Sequence, residues 1–324
     1  MGAMRTAMLG RTGEKLSVIG AGTWQWGALE WGWGGSYGKR QALEAFDRAL
    51  ALGVNWLDTA EIYGPWRSEQ VIGEALGERR DGVFVASKVM PFHSFEKACA
   101  GSRRRLGVDA IDLYQVHWPN PLVPVPAMMR AMERLKKRGW IRHIGVSNFP
   151  AAMLREAREA LPRSEVVSNQ VKYNLLEREA ERDLLPACRK WGVTLIAYSP
   201  LAQGALSGKY TPDHQPSDWV RRAHPLFSRE NLRRAVPLIT ALRKVGKRRG
   251  RSVSQTALNW LVHDPRVVAI PGAKSAGQAE ENARGGDWLM APAELRSIEA
   301  AARGVDLATG PLARLARLRE SLPL

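Results

Sequence analysis

The segment WLDTAEIYGPWRSE (residues 56–69) holds one strand-to-helix junction in full. An apolar run ends at Asp58, a polar stretch carries Tyr63, and a helix is expected only after that. A turn has a use for an Asp, but none for a phenol. The same grammar repeats along the chain. Apolar runs of strand length stand at SVIGAGTW, VNWLDTA, VFVASKV, IDLYQVHW, IRHIGVSN, EVVSNQVKYN, VTLIAYSP and VVAIPGA. Between them lie patterns of helical period such as RQALEAFDRALALG (40–53) and AMMRAMERLKKRG (127–139), each closed by a Gly that tolerates the left-handed turn after a helix. Eight strand candidates alternating with helices, and no Pro/Ser-rich linker among them, predict a closed (β/α)8 TIM barrel. We read 1–324 as a single barrel domain: a β-hairpin cap over about 5–19, turning at GRTGEK, the barrel over about 20–285, and a C-terminal helix and tail over about 292–324.

Competing α/β readings fail on particular residues. A dinucleotide fingerprint of the open-sheet kind begins at Gly20 and Gly22, but Gln25 stands at its third glycine. GVSNF (145–149) starts like a nucleophile elbow, yet Phe149 occupies the closing glycine position. No two His lie at metal-ligand spacing, so no metal is expected. With 45% hydrophobic and 25% charged residues the chain is of globular type. No apolar run reaches the ~18 residues of a membrane span, and the opening residues lack the apolar core of a secretory signal. Two cysteines, Cys99 and Cys188, in helical patterns fit a reducing cytoplasm. A net charge of +16 favours anionic partners. The run RKVGKRRGR (243–251) contains no aromatic on which a base would stack, so nucleic acid is not the expected partner.

The chemistry gathers at strand ends. Asp58, Lys88, His117, Ser147 with Asn148, Gln170 and Tyr198 close successive runs, with steps from Asp58 of 30, 29, 30, 23 and 28 residues. One polar residue per βα unit brings all of them to one rim, the active face of barrel enzymes. A Lys and an Asp buried at neighbouring strand ends would each be costly unless paired. A lysine ammonium near Tyr63 is expected to lower the phenol pKa from its usual ~10, and the histidine to orient a carbonyl oxygen.

These residues, read with their neighbours, carry a resemblance to the aldo-keto reductases. Asp58 and Tyr63 (DTAEIYG), Lys88 (ASKV) and His117 (QVHW) are similar to that family's catalytic tetrad. GTW, GVSNF, NQVKYN, AYSPLAQGALSGKY and IPGAKSAGQAEEN follow in the family's order, over about residues 5–285. SPLAQGALSGKY is also similar to the beta subunits of voltage-gated potassium channels.

The resemblance implies reversible, NADPH-dependent reduction of aldehydes or ketones, with Tyr63 as proton donor. Its alternative is a cofactor-sensing regulatory protein like the channel subunits, which His117 argues against. It further implies a nicotinamide held by Ser147, Asn148 and Gln170 under the ring of Tyr198, near Thr23, Trp24 and Asp58. The loop Ser199, Pro200, Leu201, Gln203 and Lys209 would cover the pyrophosphate, while Arg221 and Arg222 would contribute to the adenosine phosphate from the other side. Gly272, Lys274, Ser275, Gln278, Glu281 and Asn282 would take the adenosine 2′-phosphate end. Many relatives place an arginine in that last segment. Here its cation is Lys274, so NADPH is expected over NADH, with the strength of that preference open. Trp24, Trp26, Tyr63, His117 and Trp118 are expected to line the pocket for a small aldehyde or ketone. No membrane partner is expected, and a homo-oligomer is left open. The leucines of GPLARLARLRESLPL (310–324) fall on one helical face, which would close the pocket, dock on the barrel or meet another subunit.

Overall fold

A computed structural model describes residues 2–307 and residue 311. The tail from 312 onward, and with it the leucine face proposed above, lies outside the described residues. A hairpin of β1 (Thr6–Met8) and β2 (Lys15–Ser17) opens the chain. Eight parallel strands follow: β3 (Ala21–Gly22), β4 (Trp56–Asp58), β5 (Phe84–Val89), β6 (Ile111–Val116), β7 (Ile141–Ser147), β8 (Val166–Lys172), β9 (Thr194–Tyr198) and β10 (Val267–Ala269). Each falls within one of the eight apolar runs, and they pair in sequence order. The ring closes between its first and last members, through the parallel bridges Ile19–Ala269 and Gly22–Gly272 and the bond from Gly20 N to Ala269 O (2.8 Å). The fold is therefore the expected (β/α)8 barrel with its hairpin.

Eleven helices lie among the described residues. They are α1 (Lys39–Ala51), α2 (Arg67–Leu76), α3 (Phe95–Leu106), α4 (Val125–Lys137), α5 (Ala151–Glu159), α6 (Leu184–Trp191), α7 (Trp219–Arg222), α8 (Arg229–Arg249), α9 (Val253–Leu261), α10 (Ala276–Ala283) and α11 (Pro292–Arg303). The Ser252-x-x-Gln255 sequence starts α9 as a reciprocal capping box. Helix α11, an extra C-terminal element, packs on α8 and is tied to it by paired bonds from Arg249 to Glu294.

The interior of the barrel is layered by the two-residue period of its strands. Its lower layer is apolar: Trp56, Ala86, Leu113, Val167, Ile196 and Val268, closed from below by Leu9 and Leu16 of the hairpin. Gly20 is required here, since a Cβ on it would lie 2.2 Å from the Trp56 indole. Two residues further along the same strands the interior turns polar: Trp56 gives way to Asp58, Ala86 to Lys88, Leu113 to Gln115 and Ile196 to Tyr198. The change of character within single strands places the polar groups on a rigid floor.

Candidate active site

The expected tetrad is assembled at this rim. Lys88 is fully buried, and its ammonium donates to Asp58 Oδ1 (2.5 Å), Thr59 O (2.9 Å) and the Tyr63 hydroxyl (3.2 Å). Tyr63, on the loop after β4, meets the His117 ring edge-on with centroids 5.7 Å apart. Asp58 Oδ2 accepts from Gln170 Nε2 (2.7 Å) and from Gln115 Nε2 (3.2 Å). The carboxylate thus has one cation and two amides as donors.

The electrostatics correct one expectation. Burial pushes the Tyr63 phenol up by more than Lys88 draws it down, and Asp58 adds to the rise, so its pKa lies above the ordinary value. The phenol is firmly protonated at neutral pH. Burial would lower the Lys88 ammonium, but Asp58 and Tyr63 more than offset it, and its pKa is raised. Burial first, and the Lys88 charge second, hold His117 well below the usual imidazole value. His117 is therefore neutral, and its Nδ1 has no partner.

Strand ends β7 to β9 form a connected platform beside the tetrad. Ser147 Oγ and Asn148 N both donate to Gln170 O (2.9 and 2.8 Å), and Asn148 Nδ2 donates to His117 O (3.1 Å). The Tyr198 hydroxyl donates to Asn148 Oδ1 (3.1 Å). Thr23 Oγ1 donates to Asp58 O (2.9 Å), pinning the first loop to the second. Among the described residues, the non-glycine positions with positive φ are Trp66, Asn148, Ser199, Ala202 and Gln203, all beyond strand ends on this face. Backbone strain of this kind persists where surrounding structure enforces it, and concentrates at functional sites.

A second cluster collects the expected phosphate ligands. Arg221 (5.1 Å) and Lys274 (5.5 Å) both lie against the Trp31 ring, and Lys274 Nζ donates to Trp31 O. Arg221 also pairs with Asp218 (2.8 Å) and donates to Gln203 O (2.7 Å). Burial, and then repulsion from Arg221, lowers the Lys274 pKa. Two cations thus stand near one another, and one of them is paired with an acid. Ser275 caps α10 by accepting from Gln278 N, while Gln278 Oε1 accepts from Lys274 N (2.8 Å).

Other expected residues are placed differently. Trp26 is not on the pocket: it is 2% exposed in the core, and its indole N–H donates to Ala273 O (2.9 Å). The Glu281 carboxylate is turned to Ser252 Oγ and Gln255 Nε2 (2.8 Å) of α9, and Asn282 Nδ2 donates to Gly272 O (3.1 Å). Lys209 is exposed and lies over Tyr210. Pro200 is buried, and Leu201 O accepts from Gly204 N (2.8 Å) inside the loop. Trp24 remains 44% exposed, edge-on to Trp31, and Trp118 stacks beside His117. Gln115 was missed. Its signal is its position on β6 two residues before His117, which directly follows that strand. Among the described residues no acid, His or Cys cluster could hold a metal, and no helix is long and apolar enough to cross a membrane.

Residues 18–303 match the Aldo/keto reductase family, and the chain belongs to that family, whose members are oxidoreductases. It is 45% identical over 293 residues to an uncharacterized oxidoreductase of Mycobacterium tuberculosis, covering 89% of this chain and 90% of that one. It is 33% identical to a Bacillus subtilis aldo-keto reductase, covering 91% and 92%. Among solved structures, a glycerol dehydrogenase of Gluconobacter oxydans superposes with a TM-score of 0.84 at 30% identity, covering 94% and 98%. A Klebsiella pneumoniae aldo-keto reductase crystallised with NADPH gives 0.74 at 30% identity, covering 94% and 100%.

Proposed function

We propose that this chain reduces aldehydes and ketones to alcohols reversibly with NADPH, and that Tyr63 is the proton donor. The observation that carries the reading is the buried line of contacts from Asp58 through Lys88 to the Tyr63 hydroxyl, with a neutral His117 beside it. The cofactor is supported by the Klebsiella neighbour and by this chain's own groups: Arg221 and Lys274 for the phosphates, Ser147, Asn148 and Gln170 for the carboxamide, Tyr198 for the nicotinamide face. When bound, NADPH supplies the hydride.

The residues do the rest. A phenol raised above its usual pKa holds its proton until a carbonyl oxygen gains negative charge next to it. The Lys88 ammonium, 3.2 Å from the Tyr63 hydroxyl, then stabilises the phenolate left behind. Neutral His117 directs the carbonyl without bringing a second cation. Asp58 keeps Lys88 charged and in place. Oxidation of an alcohol runs the same path backwards, with Tyr63 as base. The exposed side chains Trp24, Trp66, Phe92 and Leu122, on the segments that follow β3 to β6, favour apolar or aromatic carbonyl compounds over small charged sugars.

The test has two arms. Titrating the protein with NADPH and with NADH should quench tryptophan emission saturably, and more tightly for NADPH. Tyr63→Phe should bind NADPH within about twofold of the wild type and lose about 10²–10⁴ in turnover. A Tyr63→Phe enzyme with normal turnover would remove Tyr63 from the mechanism, and a failure to bind either nucleotide would remove the reductase.

A further inference from the structure

Asp58 is gripped from a side that the tetrad does not explain. Gln115 lies on β6, fully buried, with Lys88 as its register partner on β5 and Gly145 on β7. Its amide crosses the barrel interior to Asp58 Oδ2. A carboxylate only accepts, so Gln115 and Gln170 must both present their NH2 groups and turn their carbonyl ends away. For Gln115 that end is buried without a partner. Leaving a buried acceptor unpaired is unfavourable, and an apolar side chain would avoid it. The neighbouring strand also makes room: a Cβ on Gly145 would stand 2.8 Å from Gln115 Cγ. Both features are explained if the donor at Asp58 is what the site uses.

We propose that Gln115 is a positioning residue that holds Asp58 Oδ2, so that Oδ1 stays on Lys88 and Lys88 on Tyr63, whatever engages Gln170. The proposal rests on Tyr63 as the proton donor. Of the two amides, Gln170 belongs to the platform to which the carboxamide is assigned, where its backbone carbonyl accepts from Ser147 Oγ and Asn148 N. A ligand drawing on Gln170 loosens one arm of the clamp. Gln115, fully buried two residues before His117, is out of a ligand's reach and keeps the other arm closed. It also keeps part of the Asp58 charge neutralised, which matters because Asp58 raises the Tyr63 phenol.

The experiment compares Gln115→Leu, Gln115→Glu and the wild type. Gln115→Leu should lower kcat about 10–100-fold, the worth of a hydrogen bond to a charged group. NADPH Kd and carbonyl KM should stay within about twofold, and the alkaline limb of kcat should move to higher pH. Gln115→Glu should work near the wild-type rate at the acid end, where its carboxyl can donate to Oδ2. It should fail as pH rises and two carboxylates face each other. The tyrosinate absorbance of Tyr63, as a difference against Tyr63→Phe, should shift up in Gln115→Leu without any substrate present. Variants that follow the wild type in both readouts overturn the proposal. So does a loss of kcat equal at every pH with the Tyr63 titration unmoved, which marks packing alone. A wild type that reduces no carbonyl with NADPH would sink the reductase reading instead, and the absorbance titration would still decide the role of Gln115.

Discussion

Replacing Lys88 with Met separates what the buried ion pair does for the fold from what it does for chemistry. Lys88 and Asp58 are 0% and 1% exposed and lie 2.5 Å apart. Methionine fills nearly the same space but leaves the carboxylate buried without a cation. Removing one partner of such a pair costs about 3–5 kcal/mol. Because Gln115 and Gln170 still donate to Oδ2, the loss should fall near the lower bound, about 3 kcal/mol. Unfolding entropy of about 2.1 cal/mol/K per residue gives about 0.7 kcal/mol/K for this chain, so Tm should drop by about 4 °C. Adding Asp58→Asn removes the stranded charge, and the double variant should regain most of that loss. Neither variant should reduce carbonyls, because Tyr63 has lost the cation that stabilises its phenolate. Unfolding followed by tryptophan fluorescence, alongside NADPH oxidation, reads both quantities. A single variant as stable as the wild type, or a double variant no better than the single, would refute the energetic coupling of the pair.

Three further outcomes are expected. His117 stays neutral in the folded chain, while the unfolded chain takes up its proton near pH ~6.5. Stability present above that pH should therefore be lost as pH falls below it, by up to about 1.4 kcal/mol per pH unit, and His117→Asn should remove this component from urea unfolding curves measured between about pH 7 and 5. Lys274→Met should weaken NADPH binding about tenfold while leaving NADH within about twofold, since only the former carries the extra phosphate; equal losses for both would place Lys274 on the shared part of the cofactor. Burial pushes the thiols of Cys99 and Cys188 up to about 12, so both should resist a thiol reagent at neutral pH until the protein unfolds.

What the sequence disclosed follows from where its signals sit. The eight strands were legible because short apolar runs recur between helices that end in Gly, and one polar residue per strand end marked the rim. Gln115 was hidden because IDLYQV reads as a buried strand, and a lone amide within it carries no motif. Only the barrel's closure shows that its inward face points at Asp58. The direction of the Tyr63 shift was misread for a related reason: Lys88 is visible in the sequence, whereas the depth of burial is not. Trp26 was assigned to the pocket with the other tryptophans of the Gly-rich loop, but its ring is buried and its indole N–H found Ala273 O. The contact of Trp31 with both Arg221 and Lys274 joins segments roughly 190 and 243 residues apart in sequence, a relation no local pattern encodes.

The seam at which the barrel closes has a consequence for the chain as it is made. β3 finds one of its two neighbours at once, but the other, β10, emerges some 245 residues later. At about 5–20 residues per second, a ribosome needs roughly 12–50 s to cover that distance. Throughout that interval the growing sheet carries two unpaired borders, and the hairpin's Leu9 and Leu16 wait for a floor that is not yet complete. A nascent chain cut short before Val267 would retain every tetrad residue and still be an open, adhesive half-cylinder. Those borders stay unpaired until β10 docks on β3, the step that closes the ring.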